Sequence, residues 1–156
     1  MDLPGQMYFE DIKEGDIITT VGRTITESDI VNFAGITSDY NLIHTNAEYA
    51  KNSIAGQRIA HGLLVLAISS GLSTRTPYFT ALNDAVTAFT AIKEYKFRRP
   101  VLIGDTIYMR MEVVQTIDAK PESDSGKVIF RRDVLNQRDE VVQEGVTEVL
   151  YKKRGR

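Results

Sequence analysis

The chain is 156 residues long, a size at which one domain buries most of what it can, and no break in composition marks a second. With 42% hydrophobic and 26% charged residues it has the balance of an ordinary folded protein and is too apolar for a disordered one. A net charge of -2 gives nucleic acid no footing, and the absence of cysteine excludes disulfides, thiolate nucleophiles and cysteine-bound metals, with the cytoplasm as the default expectation.

In chain order, Met1 to Glu10 lacks both the basic leader and the apolar stretch of a signal peptide. A short strand is predicted around Asp16 to Thr24. Thr26 followed by Asp29 reads as a capping box, and Ile30, Phe33 and Ala34 then fall at helical spacing, which predicts a helix over Glu27 to Gly35. Ile36 to Asn46 is rich in residues that favour loops and caps, so polar functional groups concentrate there, ahead of a brief helical piece at Ala47 to Lys51. Ile59 to Leu72 is apolar on nearly every face, as in a helix surrounded by protein. Its strongest apolar run, Leu63 to Ile68, is far too short to cross a bilayer, so no membrane partner is expected.

The second half changes period. A strand is predicted over Ala85 to Phe97, and Asp105 to Ile117 alternates, with Ile107, Met109, Met111 and Val113 on one face. Lys127 to Leu135 and Val141 to Tyr151 continue as strands, joined by the turn-like Asn136 to Glu140. Lys120 to Gly126, with Pro121, is a polar excursion, and Lys152 to Arg156 a polar tail. Helices first and a meander of strands afterwards predicts a single α+β domain spanning residues 1–156, with one antiparallel sheet. A central buried helix wrapped by a curved antiparallel sheet is the hot-dog arrangement.

Chemistry concentrates in Ser38 to His44, where Asp39 and His44 stand five residues apart and can converge. Seventeen residues past His44 comes His61, then Gly62, where the long helix opens and its first amides have no intrahelical acceptor, as in an anion site. Taken singly, Asp39 reads as a turn or cap residue, Gly62 as a close-packing glycine, and Ser70 as a hydroxyl bonded one turn back. His61 reads as a structural histidine bonding the loop. Two histidines at that spacing, with no carboxylate at ligand spacing, form no recognisable zinc or iron triad, so no metal is expected.

Together, Asp39, Asn41, His44, Ala60, His61 and Gly62 resemble the Asp-x-Asn-x-x-His and Ala/Val-His-Gly motifs of the MaoC-like dehydratases and R-specific enoyl-CoA hydratases. Ser70-Gly71 and the stretch from Tyr95 to Asp105 look like further family landmarks, and the resemblance runs from about Phe9 to Tyr151. Two positions depart from it: Leu42 where the family usually has proline, and Asn46 where it often has aspartate. Loss of the proline loosens the loop.

The resemblance implies a coenzyme A thioester as substrate, no cofactor and no metal. It also implies water held between Asp39 and His44 that attacks C3 of a trans-2-enoyl thioester, with Gly62 N–H as donor to the thioester oxygen. Asn41 and Ser70 take supporting roles, and His61 lies beside the substrate. At least a homodimer is expected, because the family's active site lies where protomers meet. Lys96, Arg98 and Arg99 read either as a coenzyme A phosphate site or as a solvated strand end. Two other functions fit the same fold: an acyl-CoA thioesterase, against which the Asp-x-Asn-x-x-His loop argues, and a non-catalytic acyl-binding subunit, which has no use for a matched proton pair.

Overall fold

A computed structural model of the chain describes residues 5–118, 120 and 122–155. Pro121 of the polar excursion, Arg156 of the tail, and Asp2 and Pro4 of the amino terminus lie outside the described residues.

A 3-10 turn at Phe9–Asp11 precedes two short strands, β1 (Ile17–Thr19) and β2 (Arg23–Thr24). A single strand was expected over this region. The break falls where the Thr20 hydroxyl accepts from Met109 N at 2.9 Å, so a side chain replaces a backbone acceptor in the ladder. Helix α1 (Glu27–Thr37) starts at the expected capping box: Thr26 N and Oγ1 both donate to Asp29 Oδ2, and Asp29 N donates back to Thr26 Oγ1. It ends at Ser38, whose φ of 60° is left-handed and turns the chain toward Asp39.

Helices α2 (Leu42–Thr45) and α3 (Ala47–Ala50) are single turns, each with an asparagine cap: Asn41 Oδ1 accepts from Ile43 N, and Asn46 Oδ1 from Tyr49 N. His44 therefore sits on a short capped helix, where an irregular loop was expected. Helix α4 (Gly62–Ser73) begins three residues later than its apolar pattern suggests. Ile59 bridges Leu102 and Ala60 N donates to Val101 O at 2.8 Å, which holds both in extended backbone. One more short helix, α5 (Pro77–Ala81), follows, with proline at its first turn and the Thr76 hydroxyl as cap.

Strands β3 (Val86–Phe97), β4 (Thr106–Ile117), β5 (Ser125–Leu135) and β6 (Val141–Lys152) complete one curved antiparallel sheet in the order β1-β4-β5-β6-β3, with β2 also on β4. The expected inward face is found: Ile107, Met109, Met111 and Val113 of β4 are all buried. With Val128, Phe130 and Val134 of β5 they pack against Leu64 and Val65 of α4, which gives the hot-dog arrangement. Burial of α4 is one-sided in this chain: Leu63, Ala67 and Gly71 share an exposed stripe at i, i+4 and i+8. The apolar pattern that suggested burial all round thus exceeds what the single chain covers.

Candidate active site

The first part of the site is built from caps and carbonyls. Asp39 Oδ1 accepts from Asn41 N at 3.2 Å, so the carboxylate folds back on its own turn and is still exposed. Two residues on, Asn41 spends its side chain capping α2. His44 Nδ1 lies 2.8 Å from Ile59 O. A carbonyl only accepts, so Nδ1 carries the proton and the Nε2 lone pair is left for chemistry. By the same rule His61 Nε2, 3.0 Å from the Asp39 carbonyl, is its protonated nitrogen. His61 is 2% exposed and its Nδ1 has no partner among the described residues.

These elements bring together what the sequence separates. The His44 and His61 rings stack at 3.9 Å, and the Phe33 ring lies 5.0 Å from His61 on a tilted plane. One side-chain donor atom from each of Asp39, His44 and His61 falls within 4.8 Å of the others. Sequence spacing gave no hint of a carboxylate at ligand distance from both histidines, and here the fold corrects that expectation. The arrangement suits protons better than a metal. Stacked rings send their in-plane lone pairs out side by side, whereas a metal needs both aimed at one point about 2.0–2.1 Å away. A carboxylate oxygen and an imidazole within this distance can hold one water between them.

Beside the pair lies a cavity of about 470 Å³, lined by His44, Ala60, Gly62, Leu63, Phe97, Arg98, Arg99 and Gln143 among others. Gly62 is the first residue of α4, with an N–H that the helix itself does not satisfy. Its carbonyl accepts from Gln143 Nε2 at 2.8 Å, which fastens the helix start to β6. A Cβ added at Gly62 would stand 2.6 Å from Phe97 Cε1, so the half-exposed Phe97 ring would have to move to admit one. Arg98 pairs with Glu144 at 2.5 Å, and Arg98 and Arg99 reach the cavity from a strand end that is otherwise solvated.

Ser70 is elsewhere. It lines a second cavity of about 410 Å³ with Ser73, Phe79, Phe89, Ile92, Arg132, Thr147 and others, and its Oγ accepts from an Arg132 Nη at 2.9 Å. The segment Thr74 to Asp84 contributes Thr74 and Phe79 to this cavity. Tyr78 turns away to donate to Asp16 at 2.8 Å.

Gln143 and Arg132 escaped the sequence reading, and Phe97 stood in it only within the Tyr95 to Asp105 landmark stretch. Gln143 and Phe97 are cross-strand partners on β6 and β3, a register visible only in the fold. Arg132 did leave a trace, as a charge at an inward position between Phe130 and Val134 of an alternating strand.

Comparison with known proteins gives the family. The model of the MaoC like domain matches residues 9–131. An (R)-specific enoyl-CoA hydratase of Rhodospirillum rubrum is 37% identical over 149 residues, which is 95% of this chain and 94% of that protein. A 3-hydroxybutyryl-CoA dehydratase of Methylorubrum extorquens is 36% identical over 95% of this chain and 86% of its own. Among solved structures, a monoamine oxidase regulatory protein from Archaeoglobus superposes with a TM-score of 0.89 at 39% identity, over 98% of this chain and 99% of that one.

Proposed function

This chain belongs to the MaoC-like domain family, and from that premise we propose that it is a reversible hydratase that interconverts trans-2-enoyl-CoA and (R)-3-hydroxyacyl-CoA through Asp39, His44 and one water. Its class is a hydro-lyase of the enoyl-CoA hydratase type. The observation that carries the reading is the His44 Nδ1 contact to Ile59 O, which leaves Nε2 free as a base on a residue that lines the Gly62 cavity and has one ring nitrogen within 4.8 Å of an Asp39 carboxylate oxygen.

In this reading the water oxygen bonds to C3 while the π pair of C2 and C3 shifts to C1–C2 and the carbonyl π pair moves onto the thioester oxygen, to return when C2 takes up a proton. The water's proton passes to the Asp39–His44 pair, and a proton from the pair goes to C2 on the same face. General acid/base action of this kind is worth about 10²–10⁴ in rate. Gly62 N–H is the donor for the enolate-like oxygen, an interaction stronger in the transition state than in the ground state and worth about 3 kcal/mol. Asn41 holds the turn, and His61 holds Asp39 by its carbonyl. Arg98 and Arg99 meet the coenzyme A phosphates at the cavity rim. No metal or cofactor enters this reaction, only the thioester.

Assembly as a homodimer belongs to the same proposal. Strand β3 is a free sheet edge twelve residues long, and Phe89, Ile92 and Phe97 on it are 53%, 44% and 55% exposed beside Leu63 of α4 at 61%. An edge of that length and an apolar patch rimmed by charge are what a second copy would cover.

The purified protein offered a panel of trans-2-enoyl-CoA thioesters should consume enoyl absorbance and yield the R-3-hydroxy product without free thiol. Thiol release with no enoyl hydration would establish the thioesterase instead. Binding without either reaction would make the chain an acyl-binding subunit.

A further inference from the structure

Arg132 is 2% exposed and has no carboxylate partner among the described residues. A buried guanidinium stays charged and costs heavily unless an anion or several strong acceptors meet it. Here Nε and one Nη donate to Met109 Sδ at 3.2 and 3.1 Å, a weak acceptor, and that Nη also reaches Ser70 Oγ. Burial pulls the guanidinium below its ordinary pKa. The nearby Tyr95 hydroxyl is pushed up to about 12 by burial, with Arg132 opposing that rise. In the same cavity the Thr147 hydroxyl is 1% exposed and has no hydrogen-bond partner among the described residues. Apart from these groups, Ser70, Ser73, Thr74 and the Tyr151 phenol, the walls are apolar: Phe79, Phe89, Ile92, Phe130 and Val149 among them. The second cavity therefore fits an apolar stem that ends in an anion.

Its place relative to the first cavity follows from two elements that both share. Gly62 and Ser70 are eight residues apart on α4, about 12 Å of helix rise. Gln143 and Thr147 are four residues apart on β6, about 13 Å of strand. Both rulers give the same separation along one seam between helix and sheet. Tyr95 lies between the two ends, donating to Gln143 at 2.8 Å with its ring against Gly145, and Gly145 is the cross-strand partner of Arg132.

We propose that Arg132, with Thr147 beside it, selects acyl thioesters carrying a carboxylate at the far end of a medium-length chain. The proposal rests on the hydratase reading for the position of the thioester. The carboxylate would accept from Arg132 and Thr147, which supplies the missing anion and satisfies the stranded hydroxyl. It needs no new chemistry at C2 or C3.

The test compares medium-chain trans-2-enoyl-CoA thioesters that end in methyl with matched ones that end in carboxylate. Wild-type kcat/KM should favour the carboxylate by roughly 10- to 100-fold, the worth of a charge-assisted hydrogen bond. Arg132→Met should remove that preference or invert it, and Thr147→Val should reduce it without loss of folding. Should Arg132→Met fail to fold, the wild-type ratio and Thr147→Val decide. Equal or better hydration of the methyl series by wild type overturns the proposal and leaves the hydratase standing, as when a partner subunit's carboxylate already neutralises Arg132. If neither series is hydrated, calorimetry with the saturated carboxylate-ended and methyl-ended acyl-CoA decides separately. Tighter binding of the carboxylate, lost in Arg132→Met, supports Arg132 selection, and equal binding ends it.

Discussion

The two cavities of this molecule are built by opposite means. The proton-transfer end of the first is carried by short capped turns between α1 and α4, where Asp39 and His44 are held by neighbours close in sequence or by a backbone carbonyl, although β3 and β6 supply the facing wall. The second is assembled from sheet register and one long helix. Arg132, Thr147 and Phe89 meet only because β5, β6 and β3 pair as they do. Local construction leaves Asp39 exposed and able to reach a water, whereas long-range construction can bury a guanidinium with no carboxylate beside it, and a hydroxyl with no hydrogen-bond partner, among the described residues. Reactivity is placed where the chain can turn sharply, and selection where the walls are stiff.

The largest effect should come from the locally built cavity. Asp39→Asn and His44→Gln keep size and polarity but remove proton transfer, so each should fold with an unchanged melting temperature and lose about 10²–10⁴-fold in kcat. The double variant should be little worse than either single one, because groups that act on one water are not additive. Multiplying losses would mean that the two act on separate steps and would break the comparison at its first term.

The next effect separates packing from chemistry at Gly62. Gly62→Ala drives a Cβ into the Phe97 ring and should cost about 1–3 kcal/mol of stability, read by denaturant titration. Adding Phe97→Ala should return much of that stability. If Gly62 serves only packing, kcat returns as well. If its backbone meets the thioester, kcat stays low, on the order of 10²-fold down, since small misplacements at the reacting centre are costly.

How far this was legible in the sequence follows the same division. Thr26 and Asp29 announced the start of α1, and alternation announced β4 to β6, because capping boxes and period-two patterns are properties of a few adjacent residues. Asp39, His44 and Gly62 were legible as a motif. The contacts of His61 were not, because they depend on α4 docking against the turn before α2, across 22 residues of chain to Asp39. Asn41 reads as a loop residue in sequence and is the cap of α2 in the fold, since one side chain can serve either backbone. Ser70 was placed by resemblance with the proton pair, yet its hydroxyl meets Arg132 in the other cavity. The exposed stripe on α4 was misjudged because apolar residues destined for a neighbouring surface look the same in sequence as those buried within one chain.

A smaller effect is expected from His61, which acts on Asp39 through its carbonyl and is a positioning residue. His61→Phe keeps an aromatic ring against His44 and Phe33 while deleting the Nε2–H contact to Asp39 O. We expect kcat to fall about tenfold, in line with the loss of one hydrogen bond, with KM unchanged. The melting temperature should hold, because the unpartnered Nδ1 leaves with the ring. A large loss of stability with normal kcat would return His61 to a purely structural part.

The smallest effect lies outside both cavities. Glu148 accepts from Lys93 at 2.5 Å and Lys127 at 3.0 Å, and these hydrogen bonds hold its carboxyl below the usual carboxylate range. A lowered folded pKa stabilises the protein above the unfolded value of about 4.3 and loses that contribution as pH falls through the folded one. Melting curves of Glu148→Gln should therefore lie slightly below wild type near neutral pH and converge with it in acid, with hydration unchanged. Divergence in acid would reverse the sign.

The central claim is that water adds to C3 through the Asp39–His44 pair, and one measurement follows the oxygen directly. Trans-2-enoyl-CoA is incubated with the protein in water labelled with heavy oxygen, and the products are resolved by chiral chromatography and mass spectrometry. The account predicts a single labelled oxygen on C3 of the R-3-hydroxyacyl thioester, with intact coenzyme A and almost no product from Asp39→Asn. Label found instead in a free carboxylate, with coenzyme A released, would contradict it.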